Sequence, residues 1–185
     1  MRMETERLVI RTLVPEDASS LRGFYLRNRL FFEPWEPERD DGFFEPASFA
    51  ALIEAEGREF AELRSLKLYF FERAAGEAGG EILGYAGLSS IVRGPFLSCF
   101  LGYKVDEARR GRGYMAEGLR AVIGAAFGEQ GLHRIEANIM PRNAPSISLA
   151  RRLGFEREGS SPKYLKIRGV WEDRDHYVLR NAALE

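Results

Sequence analysis

Cysteine occurs once in this 185-residue chain, at Cys99, which excludes an internal disulfide framework. Histidine occurs only at His133 and His176, too few ligands for a closed four-ligand zinc site, and no metal is expected. No run of eighteen apolar residues exists, so a membrane-spanning helix is not expected. Residues 1–11 carry charges where a signal peptide needs an apolar stretch, which predicts a cytoplasmic protein. A surplus of charge is also missing: 27 Lys and Arg face 28 Asp and Glu. That balance argues against gross electrostatic binding to nucleic acid, and no direct nucleic-acid or membrane partner is expected.

What is present is the composition of one soluble globular domain spanning 1–185, with 45% hydrophobic and 30% charged residues. A chain of this size buries roughly 70% of its unfolded surface without staples. Its charges are unevenly placed. Six acids (Glu33, Glu36, Glu38, Asp40, Asp41, Glu45) stand against Arg39 alone between 33 and 45, whereas Arg109, Arg110 and Arg112 cluster without an acid. Both are readable as solvated loops, or as surfaces for partners of opposite charge.

Hydrophobic periodicity predicts a first strand at Arg7–Leu13, then a helix with Ala18, Leu21, Phe24 and Tyr25 on one face. Pro34, Pro37 and Pro46 predict a stiff, irregular loop over Glu33–Pro46. A second helix is expected over Ala47–Leu63, with Phe49, Leu52, Ile53 and Phe60 inward. Strands are expected at Leu66–Phe71 and Ile82–Ile91, joined by the turn Ala74–Gly80, and at Phe96–Val105. A third helix follows over Gly113–Phe127, then a strand at Arg134–Met140. Asn143 predicts the cap of a fourth helix ending at Gly154, and Phe155–Ile167 and Val170–Leu179 finish the chain as strands. The order predicts an α+β, or mixed α/β, domain: one twisted, mostly antiparallel sheet of about seven strands flanked by four helices.

The segment from Tyr103 to Glu117 carries the most chemistry. A strand runs into a loop rich in Gly and Arg, which becomes the first turn of an amphipathic helix. First-turn N–H groups lack intrahelical partners, and the helix dipole adds positive charge there. Gly111 and Gly113 let an anion approach the backbone, and the three arginines add cations, so a pyrophosphate-like group is expected at this point. The triphosphate-binding loop is excluded because Tyr114-Met115 stands where it needs Lys followed by Ser or Thr. The dinucleotide fingerprint is matched weakly by Gly111, Gly113 and Ala116, far from a first parallel strand.

Arg110-Gly111-Arg112-Gly113-Tyr114-Met115 resembles the signature of the GNAT acetyltransferase superfamily, with Met115 where most members carry Gly or Ala. A second family segment, Asn143-x-x-Ser146 followed by Leu153-Gly154-Phe155-Glu156, stands at the family's spacing. The likeness extends to the RimJ-like, ribosomal-protein-alanine acetyltransferase branch through Glu6–Arg11, Asn28-Arg29, Pro34-Trp-Glu-Pro37, Val92-Arg-Gly94, Leu101-Gly-Tyr103, His133–Ile135, Glu158-Gly159, Tyr164-Leu165 and Ile167–Asp173. It covers nearly the whole chain.

This resemblance implies that acetyl-CoA is the cosubstrate and that its acetyl group passes directly to an amine. The implied cofactor contacts are Gly102, Val105, Arg109, Arg110, Gly111, Arg112, Gly113, Tyr114, Met115, Ala116, Asn143 and Ser146. The pantetheine arm is expected between Leu101–Val105 and Arg134–Met140, where the strands should splay, with Asn143 bonding its amides. A main-chain N–H at Gly102 or Tyr103 is expected to polarise the acetyl carbonyl. Family members often protonate the departing thiolate with a tyrosine, but the matching position is Ala150, so Ser146 is the nearest hydroxyl. Ser146 is alternatively a first-turn capping residue.

An unperturbed α-amine, with a pKa of about 7.7–8, is roughly a tenth neutral at pH 7, so only a modest base is needed. Candidates are Glu36, Glu136 and Asp173; Glu36 leads as base or substrate contact, with Trp35 and Tyr164 as further substrate contacts. Cys99 and His133 read as structural. The expected reaction is acetylation of a protein N-terminal amine, by resemblance the N-terminal alanine of the fifth small-subunit ribosomal protein, whose basic character suits the acidic loop. The alternatives are a small-amine acetyltransferase (polyamine, amino acid or antibiotic) and a non-catalytic acyl-CoA-binding or ribosome-assembly protein.

Overall fold

The structure, a computed structural model, describes residues 1–75 and 80–185. Eight strands form one sheet: β1 (Arg2–Glu4), β2 (Leu8–Arg11), β3 (Leu66–Glu72), β4 (Gly84–Val92), β5 (Ser98–Val105), β6 (Arg134–Ile139), β7 (Glu156–Ile167) and β8 (Val170–Arg180). Their order is β1-β2-β3-β4-β5-β6-β8-β7, and every neighbouring pair is antiparallel except β5–β6. The helices are α1 (Ala18–Arg27), α2 (Arg29–Phe32), α3 (Pro46–Ala61), α4 (Tyr114–Phe127) and α5 (Ala144–Arg152).

The expected fold class holds, with one strand and one short helix more than the sequence predicted. The extra strand, β1, is three residues long and has two exposed charged residues, Arg2 and Glu4. Charge of this kind protects an edge strand from further pairing, but it also erases the apolar signal. The single turn of α2 is too short for helical periodicity to register. Pro46 is the first residue of α3 rather than loop, because its missing N–H costs nothing at that position. Asp41–Phe44 forms a 3-10 turn inside the proline-rich loop. Most of the expected turn Ala74–Gly80 lies outside the described residues.

Strands β2 and β3 read as nearly continuous apolar runs because both faces of the central sheet are covered. Leu8, Ile10, Leu68 and Phe70 pack with Leu119 and Val122 of α4 and Leu149 of α5. The alternate residues Val9, Tyr69 and Phe71 pack with Leu21 and Phe24 of α1 and Phe49 and Ile53 of α3. Cys99 is buried, and burial pushes its thiol up to about 12, as its structural reading requires. Gly118 lets α4 lie directly on β3; a Cβ at this position would collide with the Phe70 ring.

Two clasps aim the β5–α4 loop. On one side Asn28, buried at the end of α1, accepts a hydrogen bond from the Glu107 N–H at 2.8 Å and donates to Asp106 at 3.0 Å. Arg27 also pairs with Asp106, whose carboxyl is held below the usual range by these bonds against the opposing effect of burial. On the other side Glu117 of α4 accepts from the Thr5 hydroxyl (2.6 Å), the Arg7 N–H (2.8 Å) and Arg7 Nε (2.7 Å). Arg7 Nη1 then donates to the Arg112 carbonyl at 2.8 Å. The loop is thus fixed before any ligand arrives.

Candidate active site

The parallel pair β5–β6 is joined only from Ser98/Arg134 to Phe100/Glu136. Beyond that point β5 continues to Val105 and β6 to Ile139 without pairing to each other. The split is part of a cleft of about 970 Å³, lined by Leu101–Val105 on one side and Ala137–Met140 on the other. Along the free edge of β5, alternate main-chain N–H groups turn away from β4 and toward the opening. The splay lies between the two strands for which the family resemblance implied it.

One end of the cleft meets the start of α4. Gly111 and Gly113 both have positive φ, +72° and +81°, conformations that side-chain-bearing residues adopt at a cost. The first helical bond runs from Glu117 N–H to the Gly113 carbonyl at 3.1 Å, so the Tyr114, Met115 and Ala116 amides have no intrahelical acceptor. All three residues line the cleft, together with Arg109, Arg110, Gly111 and Gly113. Arg112 does not line it; only its carbonyl is engaged, by Arg7. Arg109 pairs with Glu81 at 2.9 Å and Glu72 at 3.3 Å. Arg110 lies over the Phe31 ring, 4.7 Å from its centre.

At the middle of the split stand two hydroxyls. Tyr103 of β5 and Ser146 of α5 approach to 2.6 Å, although 43 residues separate them in the chain. Asn143, not Ser146, caps α5: its Oδ1 accepts from the Ser146 N–H at 3.3 Å. The Ser146 hydroxyl is therefore free of capping duty. Burial raises the Tyr103 phenol, opposed by the bond to Ser146. Ala150 is buried in the core and does not line the cleft, so it offers no hydroxyl there. Gly102, Val105, Asn143 and Ser146 line the cleft as expected.

The other mouth is formed by the proline-rich loop. Trp35 lines the cleft and stacks under Arg142, whose Cζ is 4.9 Å from the ring centre. Arg142 donates to the Pro34 carbonyl at 3.0 Å, and Arg168 pairs with Glu33 at 2.8 Å, so the loop is clipped to the far side of the sheet. Glu36 does not line the cleft and is not a solvated acid. It pairs with Lys104 and, at 3.0 Å, with Arg39. Burial raises its carboxyl, but the two cations outweigh that and hold it below the ordinary value, which weakens it as a base. Lys104 in turn is lowered by burial, with Phe32 4.7 Å from its Nζ.

Of the remaining candidates, Tyr164 is 41% exposed, packs edge-on against His176 and lies outside the cleft lining. Asp173 accepts from the Lys163 N–H at 2.8 Å and so orders the last hairpin. Glu136 is bound by Arg134 at 2.9 Å and by His176 at 3.2 Å. Sequence reading did not single out the cleft-lining Asn138 and Arg174 or the Glu36–Lys104 pair; only the polar face of β6 hinted at Asn138.

Residues 7–156 match the acetyltransferase (GNAT) domain family. The chain belongs to the GNAT acetyltransferase family. Over 178 residues, 96% of this chain and 89% of the relative, it is 41% identical to the ribosomal protein uS5-alanine N-acetyltransferase of Escherichia coli. The ribosomal-protein-S5-alanine acetyltransferase of Vibrio fischeri superposes with a TM-score of 0.92 at 30% identity, covering 100% of this chain and 99% of that one. Mycobacterium smegmatis RimJ in complex with CoA-disulfide gives 0.87 at 27% identity, covering 96% and 83%. This acetyltransferase is an acyl-transfer enzyme, and the split sheet, anion cradle and hydroxyl pair are its candidate machinery. No helix among its described residues is long and apolar enough to cross a membrane.

Proposed function

We propose that this acetyltransferase transfers the acetyl group of acetyl-CoA to the N-terminal α-amine of a protein, the N-terminal alanine of ribosomal protein uS5 being the leading acceptor. The observation that carries this reading is the continuity of the cleft: anion cradle, free strand edge and hydroxyl pair lie along one opening that ends at Trp35. The near-full-length likeness to uS5-alanine acetyltransferases supports the choice of acceptor.

The residues fit acetyl-CoA on their own chemistry. The Tyr114, Met115 and Ala116 amides suit a pyrophosphate, and no heavy atom lies within 4 Å of where a Gly111 Cβ would stand. The free edge of β5 and the Asn143 side-chain amide suit the pantetheine amides. When bound, acetyl-CoA supplies an acetyl carbonyl activated as a thioester. The β5 N–H at Gly102 or Tyr103 polarises that carbonyl oxygen. The neutral amine forms the new C–N bond as the C–S bond breaks, and the ammonium proton leaves through water. Ser146, backed by Tyr103, gives a proton to the departing sulfur and recovers one from solvent. Glu36 serves as the counter-ion of Lys104 beside the acceptor mouth rather than as a strong base.

The test is incubation of the purified protein with acetyl-CoA and an Ala-initiated basic peptide, followed by mass spectrometry. The expected product carries one acetyl group on its N-terminal nitrogen. Acetylation only of small amines, or of no acceptor at all, would overturn the proposal.

A further inference from the structure

Arg174 of β8 lines the cleft and is only 5% exposed. Strand alternation puts it on the sheet face opposite Tyr177, which packs in the core formed with α4 and α5. Its neighbour Asp175 pairs with Ile139, the last residue of β6, so Arg174 stands beside the end of the split, next to cleft-lining Met140. Its Nη1 is buried with no hydrogen-bond acceptor among the described residues. Three groups act on its charge: Glu172 attracts it, Arg142 repels it and Tyr164 contributes weakly. Glu172 is already engaged by Arg142 at 2.8 Å.

A guanidinium carries five N–H donors and does not shed its proton in proteins. One of those donor atoms, Nη1, is buried here without an acceptor among the described residues, and that costs stability. Other charges around the mouth are paired, Glu36 with Lys104 and Arg39, and Glu33 with Arg168; Arg39 also buries an unbonded Nε, but unlike Arg174 it has a carboxylate partner, Glu36, at 3.0 Å. Arg174 instead lines the cavity that the proposed function assigns to the acceptor.

We infer that Arg174 anchors the acceptor by donating from its guanidinium to the carbonyl oxygen of the acceptor's first peptide bond. Every protein N-terminus presents that oxygen at a fixed two-carbon remove from its amine, whatever its side chains. A simple amine has no such oxygen. Arg174 would therefore select peptide N-termini over simple amines while leaving CoA binding untouched. The inference rests on the N-terminal acetyltransferase reading above.

The test compares wild type with Arg174→Met, which removes every donor, and Arg174→Lys, which keeps the charge but loses the planar fork. Acceptors are an Ala-initiated peptide, free alanine and isopropylamine. Loss of a hydrogen bond to a charged group predicts a peptide KM raised roughly tenfold to a hundredfold in Arg174→Met, with Arg174→Lys between. The preference for peptide over isopropylamine should fall by the same factor. Calorimetric affinity for CoA should not change, and the melting temperature of Arg174→Met should hold or rise, because an unsatisfied buried cation has been removed. A merely structural role predicts the reverse, a lower melting temperature with an unchanged peptide preference, and would overturn the inference. A wild-type preference for free alanine over the peptide would also overturn it, by making this a carboxylate site. Failure of the wild type on every Ala-initiated peptide would instead strike the function from which the inference starts.

Discussion

Replacing Ser146 by alanine separates a proton donor from a structural hydroxyl. The 2.6 Å bond to Tyr103 would be lost, but the phenol keeps the Ser146 carbonyl 3.3 Å away as an alternative acceptor. Asn143 remains the cap, because it receives the main-chain N–H of residue 146 and not its side chain. The stability cost is therefore that of one neutral hydrogen bond, about 1 kcal/mol, or a melting shift of about 2–4 °C for a chain of this size. Losing a general acid costs at least roughly a hundredfold in turnover, about 2.7 kcal/mol of barrier. The two effects differ enough to be told apart in one preparation. Initial rates of thiol release would be measured at saturating acetyl-CoA and peptide, with melting temperatures alongside. Tyr103→Phe removes the same bond from the other side, and a pair that works as a unit predicts a double variant little worse than the poorer single one. Because burial raises the Tyr103 phenol, wild-type turnover should stay flat on the alkaline side past the ordinary tyrosine value of 10.0. Turnover within about twofold of wild type in both single variants, with only melting changed, would refute the proton-donor reasoning.

Gly113→Val would force a branched side chain into a backbone at φ +81°, with its Cβ 3.2 Å from Arg7 Nη2, and should weaken CoA binding at least about tenfold by calorimetry. Unchanged affinity in a folded variant would put the ligand elsewhere. Cys99 makes stability fall with rising pH: the unfolded thiol ionises near 9.0 and the folded one at about 12, so its contribution is full below 9 and lost toward 12. From those two values wild type should lose on the order of 1 kcal/mol more than Cys99→Ala between pH 7 and pH 10 in denaturant titrations, and equal losses would show the thiol to be accessible. Glu33 and Glu36 are committed to Arg168, Arg39 and Lys104, so the exposed Glu38 and Glu45 are the better probes of steering. Reversing both to lysine should flatten the salt dependence of the rate on a basic peptide, and an unchanged slope would remove the loop from peptide docking.

The glycine turn into α4 and its unpartnered amides were legible because their determinants are local: two glycines, a strand before them and an amphipathic helix after them. The splay at Leu101–Val105 was legible only through family resemblance, since nothing in the apolar pattern of β5 announces where pairing stops. Pairings across the fold were not legible at all. Tyr103 meets Ser146 from 43 residues away, and Glu36 meets Lys104 from 68. Glu36 read as a base or substrate contact because its own segment supplies only Arg39, while the second cation comes from β5. Arg174 stands in sequence between two aspartates, Asp173 and Asp175, which gives no sign that it lines the cleft. Strand alternation sends both aspartates to the opposite face, where Asp175 pairs with Arg157.

The three-rung junction between β5 and β6 also bears on what this sheet leaves open to other chains. A strand edge with unpaired N–H and C=O groups is usually a hazard, because any extended chain can dock on it and aggregation follows. Here the outer edge at β1 is short and charged, whereas the free edge of β5 lies inside the molecule, walled by β6, α4 and α5. A neighbouring protein's strand would have to displace those walls to pair along this edge, whereas an unbranched, amide-bearing arm needs only the existing cleft. The fold thus keeps main-chain donors in reserve on an interior edge.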